Sequence, residues 1–175
     1  DVLGAALATN SFGLVLYRLG DYGLARTHFE EALAIFRAAG LRIGIAHTLR
    51  HIGHIAFVEG EYQQAAQCYH ENLVIEREIG SREGIAWGIV NLAIAVRYMG
   101  DLAHAMELWN EAMPLHEELD TKYGLAVCLT GLAGLQAQPI RTVQLLAAAH
   151  TAFEDSTEAI EPHYRAEHER CTNTV

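Results

Sequence analysis

The sequence predicts an all-α fold in which helical hairpins are repeated every 40 residues. The turn Gly60-Glu61-Tyr62 has one copy 40 residues earlier, at Gly20-Asp21-Tyr22, and another 40 residues later, at Gly100-Asp101-Leu102. Aromatic residues follow the same offset, at Phe29, Tyr69 and Trp109. The 175-residue chain is 51% hydrophobic and has 3 prolines, a composition that suits helices. A period of about 20 to 50 residues is typical of stacked-repeat proteins, whose neighbouring units bury one continuous core.

Residues 41–80 show how one unit is built. Apolar residues between Ile43 and Val58 fall mostly three or four positions apart, which predicts an amphipathic helix. Gly60 ends this helix, because a glycine can adopt the left-handed conformation that satisfies the last carbonyl groups. We expect Glu61 to accept from the free amides that open the second helix, and Gly80 to close the unit.

The other units are interpreted in the same way. We expect a single domain, 1–175, with repeats at about 2–40, 41–80, 81–120 and 121–155 and a C-terminal cap at about 156–175. Helices are predicted from Leu3 to Leu19, Tyr22 to Ala38, about Ser81 to Met99, Leu102 to Leu119, Lys122 to about Ala137, over about 143–153, and in the cap from about Glu161 to Arg170. Pro114 lies inside one of them and predicts a kink or a locally broken turn there.

The repeated unit resembles the tetratricopeptide repeat (TPR) family. Leu49-x-x-Ile52-Gly53-x-x-Ala56, followed by Ala65-x-x-x-Tyr69, is similar to the TPR pattern Trp-x-x-Leu-Gly-x-x-Tyr followed by Ala-x-x-x-Phe. The resemblance implies a right-handed superhelix of about four hairpins plus a capping helix. It also implies a non-enzymatic scaffold that binds a protein segment on its concave face.

Two features depart from the standard TPR pattern. The closing proline is replaced by Arg37, Arg77 and Glu117, and the period is 40, which indicates the long-period variety. Asn72 occupies a position that is normally small and apolar, so we expect a local polar contact or looser packing around it.

The C-terminal part has a second resemblance. The run from Gln144 to His150, with the later run from Pro162 to Glu169, looks like the closing segment of ATP-dependent bacterial transcription regulators of the LuxR and AfsR kinds. It implies that the chain is the regulatory or sensor part of a larger cytoplasmic signalling protein. The first residue, Asp1, is not methionine, which also suggests a piece of a longer protein.

Charge and cysteine content restrict the partners. A net charge of −10 argues against direct nucleic-acid binding, which requires a basic face. The 3 cysteines include no Cys-x-x-Cys pair and predict reduced, intracellular thiols, with Cys68 and Cys128 as small core residues. Neither a membrane span nor a secretory leader is predicted. We also expect no cofactor, and the acidic residues of the second helices are interpreted as solvated faces, not as catalytic pairs.

The TPR resemblance implies that the first helices of the hairpins line the binding groove. Arg50 and Arg97 would hold carboxylates or carbonyl groups, Trp87 would bury an apolar side chain, and Asn10 and Asn91 would bind the main chain of the ligand. The candidate groove residues are Asn10, Tyr17, His47, Arg50, His51, His54, Trp87, Asn91, Arg97 and Tyr98.

Three histidines on one helical face leave an alternative open. His47, His51 and His54 are spaced as i, i+4 and i+7, so they could share a zinc or copper ion. No cysteine or acidic residue accompanies them, which favours a polar or pH-sensitive groove over a metal site.

Two other functions also remain open at this stage. A closed, apolar groove would favour a small-molecule sensor, whereas an open, polar channel would favour peptides. The other function is self-association, through Val58 and Tyr98 or through the exposed start of the array, which would give a homodimer.

Overall fold

The computed structural model describes residues 2–135, 139–154 and 164 of the chain. These residues contain eight α-helices and no strand. The helices are α1 (Val2–Leu19), α2 (Tyr22–Ala38), α3 (Arg42–Val58), α4 (Tyr62–Ile79), α5 (Arg82–Tyr98), α6 (Leu102–Glu118), α7 (Lys122–Ala133) and α8 (Pro139–Glu154). The predicted all-α class and the hairpin order are therefore confirmed. The predicted cap at 156–175 lies outside the described residues except for Tyr164.

The helices form two compact units, Asp1–Ser81 and Arg82–Val175. We call them unit 1, with α1 to α4, and unit 2, with α5 to α8. Within each unit, consecutive helices pack as antiparallel hairpins, with α3 also packing on α2 and α7 on α6. The single domain expected from the sequence stays a prediction.

The predicted corner glycines have equivalent backbone conformations. Gly20, Gly60 and Gly100 have φ angles of +84°, +81° and +93°, in the left-handed region that glycine enters without steric cost. The hairpin ends at Gly40 and Gly80 are also left-handed, with φ of +68° and +77°. Their third counterpart is Asp120, with φ of +52°. The repeat therefore demands a left-handed residue at this corner even where the sequence provides no glycine.

Helix starts differ between the repeats. The carboxylates of Asp21 and Asp101 accept from the amides of Leu24 at 3.2 Å and His104 at 3.1 Å. Glu61, in the equivalent position, makes no such bond, so the predicted cap at α4 is wrong. Its longer side chain reaches Arg26 instead, at 2.8 Å.

Close packing of the two helices in each hairpin of unit 1 depends on glycine. A Cβ atom built on Gly53 would lie 2.5 Å from the ring of Tyr69, and one on Gly13 would lie 3.0 Å from the ring of Phe29. Both aromatic side chains are fully buried. The prediction that these rings fill the space beside the small residues is confirmed for unit 1.

Two other sequence predictions are tested by the helices. α6 remains helical through Pro114, so the locally broken turn is not observed. α7 ends at Ala133 with Gly134 as its C-terminal cap, four residues earlier than expected.

Asn72 makes the local polar contact that its position predicted. The side chain is 1% exposed, and its amide donates to the carbonyl of Ala46 at 2.9 Å.

Cys128 is buried and Cys68 half-buried, and burial raises the pKa of the Cys68 thiol to about 11 and that of Cys128 to about 12. Both thiols are therefore kept protonated and unreactive at neutral pH.

Helix α1 is the one described helix whose length and composition would allow it to cross a membrane. Part of its apolar surface has another explanation, because Ala6, Leu16 and Tyr17 belong to the core of unit 1, whereas Leu7, Phe12 and Val15 are more than half exposed. The helix also packs on α2 as half of a regular hairpin. A core helix passes the same test of length and hydropathy, so the result is weak evidence for a span.

Candidate functional site

An open, largely apolar pocket lies in unit 1. Its volume is about 560 Å³, within the range that ligand pockets usually have. It is lined by Leu3, Leu7, Asn10, Phe36, Gly40, Leu41, Arg42, Ile43, Gly44, His47 and Ile79. We call this set of residues the unit 1 pocket.

Helical spacing brings the lining residues together. Leu3, Leu7 and Asn10 are spaced as i, i+4 and i+7 along α1, and Ile43 and His47 are one turn apart on α3. Phe36 of α2 lies over Gly44, because a Cβ atom on that glycine would come within 2.8 Å of its ring. The missing side chain at Gly44 thus lets the phenyl ring form part of the pocket wall.

Four large apolar residues of the pocket are exposed. Leu3 is 40% exposed, Leu7 54%, Ile43 60% and Ile79 39%. Burying such side chains against an apolar partner gains about 25 cal/mol per Å² removed from water. The pocket therefore exposes hydrophobic surface that a bound apolar group would bury.

Asn10 is oriented by a neighbouring hydroxyl group. Thr48 Oγ1 lies 2.9 Å from Asn10 Oδ1 and 2.7 Å from the carbonyl oxygen of Gly44. A threonine hydroxyl has one proton to donate, so it cannot donate to both oxygens at once. The hydroxyl therefore donates either to Asn10 Oδ1 or to the carbonyl oxygen of Gly44. In both cases the amide oxygen of Asn10 keeps a lone pair that can accept from a ligand.

His47 and Arg42 provide the other polar groups of the pocket. Partial burial, together with the nearby Arg50 guanidinium, lowers the pKa of His47, and Glu76 opposes this change. The imidazole is therefore kept neutral at neutral pH and can both donate and accept a hydrogen bond. Arg42 forms an exposed ion pair with Glu78.

The remaining histidines of the row pack inside unit 1. The ring of His51 stacks on Phe29, with centroids 5.0 Å apart and an interplanar angle of 13°. Burial, Arg50, His47 and Arg18 lower its pKa to about 3. His54 is buried between Tyr69, at 5.7 Å, and Tyr17, at 6.2 Å. No group of three or more His, Cys, Asp or Glu in the described part of the chain is arranged to hold a metal ion.

The candidate groove residues of unit 1 are thus divided between pocket and core. Asn10 and His47 line the pocket, Arg50 and His51 are half-buried outside its lining, and Tyr17 and His54 lie in the core. Sequence reasoning missed Phe36 and Ile79, which come from second helices, and the exposed Ile43. The one sequence clue to the pocket was the repeat itself, which aligns Leu7 with His47.

In unit 2, the candidate groove residues are engaged within the protein. Arg97 is 5% exposed, its guanidinium lies 6.0 Å from the ring of Trp109, and it donates to the carbonyl of Gly134 at 3.4 Å. Asn91 is 1% exposed and accepts from the hydroxyl of Tyr164 at 2.7 Å. Trp87 and Tyr98 are half-buried.

Known families and solved structures agree with this architecture. Residues 4–71 match the tetratricopeptide repeat family. Within this range the chain contains tetratricopeptide repeats. No curated protein sequence matches it.

Solved structures with a similar fold match 85–99% of this chain. The apo form of RapI is 17% identical with a TM-score of 0.77, and the match covers 97% of this chain and 47% of RapI. BtubC (BKLC) from P. vanneervenii is 20% identical with a TM-score of 0.70, over 99% of this chain and 79% of BtubC. The N-terminal domain of stress-induced protein-1 (STI-1) from C. elegans is 14% identical with a TM-score of 0.56, over 85% of this chain and 97% of that domain. The likeness shows the TPR fold, and the chain spans about half of RapI.

Proposed function

We propose that this TPR chain is a non-enzymatic interaction module and that the unit 1 pocket receives apolar side chains of a partner protein segment. The observation that carries the proposal is the convergence of exposed Leu3, Leu7, Ile43 and Ile79 on one pocket. Apolar residues that form one contiguous surface, in contrast to single scattered ones, are typical of binding sites. A TPR fold typically serves protein interaction, which supports the same conclusion.

Each polar group of the pocket has a role in this proposal. The oxygen of Asn10 accepts from a main-chain amide of the bound segment, and the neutral imidazole of His47 bonds to a second main-chain group. Arg42 keeps its pair with Glu78 and forms a polar, charge-compensated edge of the pocket. The apolar residues supply most of the affinity, and the polar groups set the register of the segment.

The test is a selection of binding peptides followed by a matched pair of variants. Peptides selected from a random library on the immobilised chain are measured against L7E and against L102E. Leu7 and Leu102 are similarly exposed, at 54% and 52%, but only Leu7 lines the pocket. We expect L7E to weaken binding at least tenfold and L102E to leave it unchanged. Equal affinities of the two variants would contradict the proposal.

A small apolar molecule is the second candidate ligand. The apolar character and the volume of about 560 Å³ favour it, because such pockets suit small ligands as well as side chains. A compound that raises the melting temperature of the native chain but not of L7E would support this candidate. The same compound would compete with a selected peptide if the two share the pocket.

The proposal also includes the kind of protein in which the chain acts. We place the chain in the regulatory part of a larger cytoplasmic bacterial protein, on the C-terminal likeness to LuxR- and AfsR-type regulators. Homodimer formation also stays a prediction, as does the absence of nucleic-acid binding.

A further inference from the structure

Two arginine side chains of unit 1 lack a carboxylate partner. Arg26, Arg37 and Arg42 each form an ion pair with at least one glutamate. Among the residues that the structure describes, Arg18 and Arg50 form none. Acidic residues outnumber Lys and Arg by 22 to 12 in this chain, so two unpaired cations require an explanation. We call Arg18 and Arg50 the arginine site.

The helices that carry the arginine site contain no acidic residue. Arg18 belongs to α1 and Arg50 to α3, and neither helix contains Asp or Glu. The positive charges of both reach His51, whose pKa is lowered first by burial and then by Arg50, His47 and Arg18. Glu76 of α4 is 6% exposed and acts in the opposite direction on His47. The surface that α1 and α3 share is therefore electropositive, although the chain is acidic.

Both arginines lie on the helical faces that form the unit 1 pocket. Ile43, His47 and Arg50 are spaced as i, i+4 and i+7 along α3, so Arg50 continues the row of pocket residues. The pocket residues of α1 have the same spacing from Leu3, and Arg18 follows on that face at i+15. A ligand in the pocket is therefore led towards both guanidinium groups.

Two contacts fix how α1 and α3 lie side by side. Thr48 Oγ1 lies 2.9 Å from Asn10 Oδ1, and the ring centroids of Tyr17 and His54 are 6.2 Å apart. Both contacts join residues 37 or 38 positions apart, so the two helices run parallel in one register.

This register places the arginine site at one end of the pocket. With a rise of 1.5 Å per residue, Arg50 lies roughly 10 Å along α3 from Ile43. Arg18 follows Tyr17 by one residue, so its level along the helix pair differs from that of Arg50 by about 8 Å. Two long arginine side chains can reach one small anion across this separation.

We propose that the arginine site binds a carboxylate of the same partner segment whose apolar side chain fills the unit 1 pocket. This inference rests on the proposed function and adds the charge of the segment. An extended chain advances about 3.3 Å per residue, so the carboxylate lies about three positions from the apolar residue. It belongs to an Asp or Glu side chain or to the C-terminus of the segment.

A single carboxylate suits the arginine site better than a polyanion does. Guanidinium groups bind carboxylates through charge-assisted hydrogen bonds, and Arg50 can still donate because its Nε has no acceptor. The net charge of −10 opposes the approach of a nucleic acid. Arg97, to which the TPR resemblance assigned the same role as Arg50, is 5% exposed and donates to the carbonyl of Gly134 in unit 2. We therefore assign Arg18 as the second arginine.

The experiment begins with peptides selected from a random library on the immobilised chain. We expect enrichment of Asp, Glu or a free C-terminus about three residues from an apolar residue. In the tightest such peptide, the acidic side chain is replaced by its amide, and in a second version the C-terminus is amidated. The version that binds at least tenfold more weakly to the native chain identifies the source of the carboxylate.

Variants of the chain then test where the carboxylate binds. R50Q and R18Q should each bind the acidic peptide at least tenfold more weakly than the native chain, and they should not distinguish it from its amide version. R37Q removes the same charge from an exposed arginine that pairs with Glu71, so it is the matched control and should bind as the native chain does. Circular dichroism checks the folding of each variant. Arg18 is exposed, so R18Q provides the test if R50Q is unfolded.

The outcomes separate this inference from the proposed function. Selected peptides without a carboxylate at this spacing would overturn the arginine site, as would a carboxylate that contributes equally to binding of R18Q, R50Q and the native chain. Weaker binding to L7E in either case would leave the unit 1 pocket supported. A selection that yields no peptide would overturn both proposals.

Discussion

Among the residues that the structure describes, Asp120 is the one non-glycine residue with a positive φ angle. Its φ of +52° is left-handed, while the repeat-equivalent positions hold Gly40 and Gly80. A residue with a Cβ atom pays about 1–2 kcal/mol for this conformation, and aspartate somewhat less. Glycine avoids that cost but loses more chain entropy on folding, which offsets part of the gain.

We predict that D120G stabilises the chain by up to about 1 kcal/mol, and that the reverse change G80D destabilises it by a similar amount. Urea unfolding of both variants beside the native chain measures the two effects. A D120G chain that is no more stable than the native one would show that the carboxylate of Asp120 makes a compensating contact.

His51 makes the stability of the chain depend on pH. Its pKa is lowered from the ordinary 6.5 to about 3 in the folded chain. Between these values the unfolded chain binds a proton that the folded chain does not, so stability is full above pH 6.5 and falls as the pH is lowered. The loss is about 1.4 kcal/mol per pH unit until the pH nears the folded value.

We predict that H51F flattens this dependence, because a phenyl ring keeps the stacking on Phe29 and takes up no proton. Unfolding free energies at intervals from pH 7 to pH 4.5 give the slopes. H70Q, which changes an exposed histidine of α4, is the matched control. Identical slopes for H51F and the native chain would mean that other groups dominate the acid response.

At the scale of helices, α3 and α4 approach each other over Gly53. A Cβ atom there would lie 2.5 Å from the ring of Tyr69, whose side chain is 1% exposed. Gly23 of α2 is the opposite case, since a Cβ atom on it would meet nothing within 4 Å.

We predict that G53A destabilises the chain by about 1–3 kcal/mol through overpacking. G23A should stabilise it by about 0.5–1 kcal/mol, because alanine loses less entropy than glycine in a helix. Thermal and urea unfolding of the two variants test the pair. A G53A chain as stable as the native one would show that the ring of Tyr69 can move aside.

Helix boundaries also show what the sequence could and could not predict. The 40-residue offset was enough to place every corner glycine, because a left-handed turn is a local requirement of the backbone. The same offset wrongly predicted a helix cap at Glu61. The extra methylene of this residue lets its carboxylate reach Arg26 in a different hairpin. Whether a carboxylate caps its own helix or pairs with a distant arginine depends on tertiary packing, which a local sequence pattern does not predict.

At the scale of the whole chain, the repeat predicted the fold more completely than the site. Position in the repeat identified Asn10 and His47, because first helices carry the pocket. It could not identify Phe36 or Ile79, which enter from the second helices of neighbouring hairpins. Nor could it separate Tyr17 and His54 from the surface, since a helical face does not reveal which of its edges another helix covers. The partner of Asn91 is 73 residues away and belongs to no repeat position.

The central functional claim is that a protein segment binds in the unit 1 pocket. Chemical-shift mapping of the ¹⁵N-labelled chain, saturated with a selected peptide, tests it most directly. The account predicts that the largest amide shifts fall on residues 3–10 and 41–47, where Leu7, Asn10 and His47 line the pocket. Shifts confined to α5, α6 and α7, with residues 3–10 and 41–47 unchanged, would contradict it.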